Sequence, residues 1–146
     1  MYHHLYLRNG TVYLPIVGKM GKGFYRDIEP VIVTPVANTE GLRKALEQTV
    51  ARGNPDVPIL RRRELPAPVV LKYAGVKSWA AFQRGLLLWG IEKKNGIWQI
   101  MEKRKKPDGA TVDDAEQTIT FPLGSKIDDV IERLIAIIQQ AARKPS

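Results

Sequence analysis

Hydrophobic and polar positions alternate most clearly around two Asn-Gly pairs. Asn9-Gly10 and Asn95-Gly96 each supply the two successive positive-φ residues of a type I′ turn, so each predicts a β-hairpin. In the first hairpin, over 2–17, Leu7 faces Val12 and Leu5 faces Leu14 on one side, while Tyr6 and Tyr13 oppose each other on the other. Pro15 cannot donate to a ladder, which predicts a sheet edge at that end. In the second, over 88–103, Ile91 falls opposite Ile100 and Lys93 opposite Trp98, so Trp89, Ile91, Trp98 and Ile100 line one face. Phe24 to Val36 is rich in Val and Ile but interrupted by Pro30 and Pro35, as one bent edge strand or two short ones would be. Val69–Tyr73 and Gln117–Phe121 read as further strands, the latter after a long polar loop over 104–116 marked by Pro107-Asp108-Gly109.

Two segments carry helical spacing. Over 40–52, Leu42, Ala45, Leu46 and Val50 form a stripe, with Asn38 or Thr39 able to cap it and Gly53 closing it ahead of Pro55. The stronger signal is C-terminal. Ile127, Val130, Ile131, Leu134, Ile137, Ile138 and Ala141 recur at helical spacing, Ser125 and Asp128 match a capping box, and acidic residues open the helix while Arg143 and Lys144 close it. Ser78 can cap a short helix through Trp79 and Phe82 before Leu86-Leu87-Leu88-Trp89 resumes as a buried strand. Residues 54–68, with four prolines, predict an irregular connection. The fold class expected is α+β, a mainly antiparallel sheet built from hairpins, with one helix after the first strands and a long C-terminal amphipathic helix, in a single domain over 1–146.

The composition fits that expectation: 146 residues, 44% of them hydrophobic and 26% charged, with no cysteine to staple or ligate. No stretch approaches the length of a membrane span, and the N-terminus lacks the layout of a signal peptide, so a cytoplasmic location is expected. The net charge of +8 is unevenly distributed. Residues 1–106 carry +11, residues 107–132 carry −6 and residues 133–146 carry +3. Such a chain offers surfaces to two kinds of partner.

Catalytic and metal chemistry find little to stand on. The only histidines, His3 and His4, are adjacent, so on a strand they point to opposite faces, and they read as terminal surface residues or part of the first strand. Gly18-Lys19-Met20-Gly21-Lys22-Gly23 does not meet the phosphate-loop spacing and reads as an inter-strand loop. No catalytic residue, metal ligand or cofactor is assigned, and a non-enzymatic role is expected. Two charged sets remain. The basic set is Arg61, Arg62 and Arg63, with Lys93 and Lys94 expected near Lys103, Arg104, Lys105 and Lys106. Beside Trp89 and Trp98 it suits a nucleic-acid-binding hairpin, although the two tryptophans share their face with Ile91 and Ile100, as core residues do. The acidic set is Asp108, Asp113, Asp114 and Glu116 in the polar loop, with Asp128 and Asp129 at the start of the last helix.

The layout of hairpins and a C-terminal amphipathic helix, together with the stretches Lys72-Tyr73-Ala74-Gly75-Val76-Lys77-Ser78-Trp79 and Gln117-Thr118-Ile119-Thr120-Phe121-Pro122, resembles the immunity proteins of bacterial contact-dependent growth inhibition systems. The resemblance implies a cytoplasmic protein that binds the C-terminal domain of one cognate toxin and blocks its active site or substrate approach. Immunity proteins to nucleases are commonly acidic, whereas this chain is basic overall. The resemblance therefore places toxin contact on the acidic residues Asp108, Asp113, Asp114, Glu116, Asp128 and Asp129, as a mimic of the phosphates in a basic nuclease groove. Nucleic-acid binding through the basic hairpin is the alternative, and no membrane partner is expected.

Overall fold

The computed structural model describes residues 1–105 and 111–143. Its centre is a six-stranded antiparallel sheet in the order β3-β2-β1-β4-β5-β6, where β1 is Tyr2–Arg8, β2 Thr11–Lys19, β3 Tyr25–Pro35, β4 Leu87–Lys94, β5 Ile97–Lys105 and β6 Thr111–Thr120. Both Asn-Gly turns form with positive φ at each residue: 51° and 75° at Asn9-Gly10, and 53° and 77° at Asn95-Gly96. The first hairpin pairs Leu7 with Val12 and Tyr6 with Tyr13, and the second pairs Ile91 with Ile100 and Lys93 with Trp98. These registers are the expected ones.

Alternation along the strands gives the sheet two covered faces. Leu5, Leu7, Val12, Leu14, Trp89, Ile91, Trp98 and Ile100 pack under α1 (Thr39–Arg52) and α4 (Ile127–Arg143), against Leu42 and Leu46 from the first and Val130, Ile131, Leu134, Ile135 and Ile138 from the second. Trp98 is thus core. Asn38 caps α1 by accepting from the Gly41 N–H at 3.0 Å. Arg43 of α1 donates from Nε and Nη2 to the two carboxylate oxygens of Glu132 on α4, at 2.8 and 2.7 Å, and this pairing holds the Glu132 carboxyl below its ordinary pKa. On the opposite face Tyr6, Tyr13, Val31 and Leu88 pack against α2 (Val70–Ala74) and α3 (Trp79–Phe82), through Val70, Leu71 and Phe82.

The structure corrects several expectations. Val69–Tyr73 is not a strand: α2 occupies most of it, ended by Gly75 at φ 71°, and its buried Val70 and Leu71 meet the sheet as one side of a short helical turn. Pro15 marks no edge, because β2 lies between β3 and β1. The proline sits where the β2–β3 register shifts, so the bulge absorbs its missing donor. Asp113, Asp114 and Glu116 are not in a loop but in β6, which starts at Thr111 and pairs with β5 through Lys103–Asp113, Arg104–Val112 and Lys105–Thr111. At α4 the first helical N–H groups bond to the Lys126 carbonyl, and the Ser125 hydroxyl donates to Pro122 O at 2.6 Å, so Lys126 rather than Ser125 holds the cap position.

Candidate functional site

Residues at even positions of β1 face away from α1 and α4, and they begin a file of rings across the sheet. Tyr25 of β3 lies 5.3 Å from Tyr2, Tyr2 5.4 Å from His4, and His4 5.3 Å from Tyr6, centroid to centroid. Tyr6 then meets Phe82 and Trp79 of α3 edge-on, at 5.4 and 6.0 Å. Lys103 Nζ stands 4.9 Å from the Tyr2 ring centre, a cation–π contact.

Within this file lies a closed polar circuit. The carboxylate of Asp27 on β3 accepts from His4 Nε2 and, at 2.6 Å, from the Tyr6 hydroxyl. Because the Asp27 carboxylate can only accept, the neutral His4 tautomer that fits these bonds carries its proton on Nε2 and accepts at Nδ1 from the Tyr2 hydroxyl, 3.1 Å away. The His4 and Asp27 side chains are only 16% and 12% exposed. Burial, then the neighbouring Asp27 charge, pushes the Tyr6 phenol well above its ordinary pKa, so Tyr6 remains a donor. Both His4 nitrogens and the Tyr6 hydroxyl are engaged within the protein. A general base needs a free nitrogen, so proton transfer to a ligand here would first break one of these bonds.

The circuit lies at the foot of an open trench. Residues 61–68 are exposed throughout and form a strap standing off the sheet. One side of the strap is anchored by a parallel bridge from Lys19 to Asp56 and by Asn54, which accepts from the Tyr2 N–H at 2.9 Å and donates to the carbonyls of Tyr2 and Val17. The other side is anchored by buried Val70. Between strap and sheet lie two adjoining cavities, of about 500 and about 430 Å³, which share Arg26, Asp27 and Pro66-Ala67-Pro68 in their walls. The larger continues past Leu71 and Val76, and the smaller past His4, Tyr6, Tyr25 and Trp79.

The charged residues singled out from the sequence are dispersed. Arg61, Arg62 and Arg63 are exposed on the strap. Lys93 and Lys94 flank the Asn95-Gly96 turn, with Lys93 Nζ 5.5 Å from the Trp98 ring, whereas Lys103 pairs with Leu88 at the far end of the same hairpin. Five strand steps of about 3.4 Å, roughly 17 Å in all, separate these two levels, so Lys93 and Lys94 do not stand beside Lys103. Lys103, Arg104 and Lys105 lie on the strand next to the one carrying Asp113, Asp114 and Glu116. Asp128 and Asp129 are exposed in the first turn of α4, which follows Leu123, and Leu123 sits against Gly96 at the Lys93–Lys94 end. Each end of the sheet therefore mixes signs that the linear sequence keeps apart. Asp108 and Lys106 lie outside the described residues.

Sequence reasoning missed His4, Asp27 and the trench. The one local signal was Tyr2, His4 and Tyr6 at i, i+2 and i+4 of a strand, which places three polar rings on one face. Asp27 comes from another strand, and nothing local announces it. His3, on the other face, is buried, with both ring nitrogens lacking a hydrogen-bond partner among the described residues. Among those residues no group of three His, Asp or Glu side chains could hold a metal, and no helix is long and apolar enough to cross a membrane.

No protein-family profile and no curated protein sequence matches the chain. Among solved structures it is similar to a protein of unknown function from Neisseria meningitidis, with a TM-score of 0.65 at 12% identity, over 98% of this chain and 94% of that one. At that identity the likeness concerns the fold alone.

Proposed function

We propose that this chain is an immunity-type inhibitor, which binds the C-terminal domain of a cognate bacterial toxin in the cytoplasm and blocks its active site or substrate approach. The observation that supports this reading is the edge strand β6. It closes one side of the sheet, and it carries three carboxylic residues within four positions: Asp113, Asp114 and Glu116. An edge strand offers backbone donors and acceptors to a partner, while acidic residues on it discourage pairing with another copy and favour a cationic one. A nuclease must keep a basic groove for phosphates, so such an edge complements it. Asp128 and Asp129, exposed at the start of α4, add two further carboxylates beyond the other end of β6.

Co-expression with a toxin domain encoded beside this chain tests the reading. Wild type should protect cells and form a stoichiometric complex. The triple variant Asp113→Lys, Asp114→Lys, Glu116→Lys should associate about tenfold or more slowly, since opposed charges chiefly speed encounter. A wild type that neither binds nor protects removes the immunity function. A folded variant that binds as fast as wild type removes the acidic edge from the interface.

A further inference from the structure

We propose that the trench beneath the 61–68 strap is a docking groove for a partner-protein segment that carries apolar anchors flanked by carboxylates. Its lining chooses the anchors. The walls are Leu65, Pro66, Ala67, Pro68 and Val69, and the larger cavity runs on to Leu71 and Val76. At the other end Leu65 and Tyr25 are each 40% exposed, and neighbouring Phe24 is 67% exposed. Walls already in place lower the ordering cost of binding, and the combined space suits one or two inserted side chains.

The rim chooses the charge. Every carboxylate at the trench is already bonded within the chain. Asp27 is held by His4 and Tyr6, Glu29 by Lys72 and Tyr73, and Glu64 by Arg61. Lys77 lines the larger cavity, and Arg62 and Arg63 are exposed on the strap just before its wall residues Leu65 to Pro68; none of the three has a carboxylate partner within salt-bridge distance among the described residues. The rim is left with unspent positive charge beside an apolar slot, which complements an acidic segment and repels a basic one. A nucleic-acid strand is the poorer fit. Base stacking along a strand needs successive open ring faces, and Tyr6 meets Trp79 and Phe82 edge-on within the packed layer, which leaves Tyr25 and Phe24 as exposed rings at one end only.

This groove is opposite in charge to the β6 edge and does not depend on the immunity function. A toxin complex that fails to form leaves it standing, and its own test uses no toxin. Random dodecapeptides displayed on phage are selected on the full wild-type chain and counter-selected on Ala67→Trp. Ala67 is exposed and lines both cavities, so tryptophan there fills the trench without entering the core. Enriched peptides should combine Trp, Phe or Leu with several Asp or Glu residues. A synthetic copy should bind wild type in solution, and should lose about tenfold in affinity to Arg62→Glu/Arg63→Glu with thermal unfolding unchanged. The proposal is overturned by no enrichment over Ala67→Trp, by an enriched set lacking acidic residues, or by indifference to the arginine reversal. It is equally overturned if oligo(dT), rather than peptide, is the probe whose binding Ala67→Trp abolishes.

Discussion

His4 and Asp27 hydrogen-bond to each other although they belong to strands that are not neighbours: His4 is on β1, Asp27 on β3, and β2 runs between them. The bond crosses over the intervening strand on the trench side. It ties the outer strand to the middle of the sheet, where the backbone ladder alone would leave β3 held only by β2. The Tyr6 hydroxyl shares the same carboxylate, so one acceptor group serves two donors.

Removing that acceptor should therefore cost more than a typical surface change. Asp27→Ala removes the acceptor shared by His4 Nε2 and the Tyr6 hydroxyl in a mostly buried site and leaves these two only their longer mutual contact, at 3.3 Å. Two short bonds lost with one long one kept predict a loss of about 1–3 kcal/mol in urea unfolding. Asp27→Asn keeps one acceptor oxygen and should lose about half as much. A change under about 0.5 kcal/mol in Asp27→Ala would show that the circuit does not help hold the edge strand.

The hairpins and α4 were readable because their information is local. Asn9-Gly10 and Asn95-Gly96 set turn geometry, the turns set register, and register put Leu7 with Val12 and Ile91 with Ile100 before any packing was considered. The α4 stripe likewise repeats within one segment. Helix α2 was misread because it is only five residues long, too short for helical spacing to stand out from a run of Val, Val and Leu. The start of β6 was misread because Thr111-Val112-Asp113-Asp114-Ala115-Glu116 shows no apolar alternation, and an edge strand can be held by one neighbour without it. The trench could not be read at all. It joins β1, β3, the strap and α2–α3, and no segment of the sequence records that meeting.

His3 makes the fold sensitive to acid. Burial, assisted by the amino terminus and His4, lowers its pKa from 6.5 to about 4. Between those values the unfolded chain binds a proton that the folded chain refuses. Its contribution is therefore full above about pH 6.5, declines as the pH falls, and levels off below about pH 4. The span corresponds to roughly 3 kcal/mol at 1.36 kcal/mol per unit. His3→Leu removes the titrating ring from an apolar setting of Leu5, Leu14, Leu46 and Leu134. Stability measured by denaturant at a series of pH values should show a shallower acid limb in His3→Leu, with the variant gaining on wild type from pH 6.5 to 4. Parallel curves would place the acid sensitivity elsewhere.

Salt dependence will decide how the basic residues behave toward nucleic acid. Counterion release makes the logarithm of affinity fall with the logarithm of salt concentration, at about 0.7 per phosphate neutralised on a single strand. Lys93 and Lys94 sit at one end of the β4–β5 hairpin, Lys103, Arg104 and Lys105 at the other, and Arg61, Arg62 and Arg63 on the strap. The second group also lies beside the acidic strand, with Lys103 in register with Asp113. The strap arginines form a run of three, of which Arg61 alone has a nearby carboxylate, Glu64. No more than about three phosphates should then be engaged at once, giving a slope no steeper than about −2 in fluorescence anisotropy with labelled oligo(dT). Replacing Lys103, Arg104, Lys105 and Lys106 by alanine should move that slope by less than about 1, whereas replacing Arg61, Arg62 and Arg63 should remove most of it. A slope near −5 that collapses in the Lys103–Lys106 variant would mean that the hairpin cations act as one surface despite their acidic neighbours, and would favour nucleic-acid binding over the toxin partner.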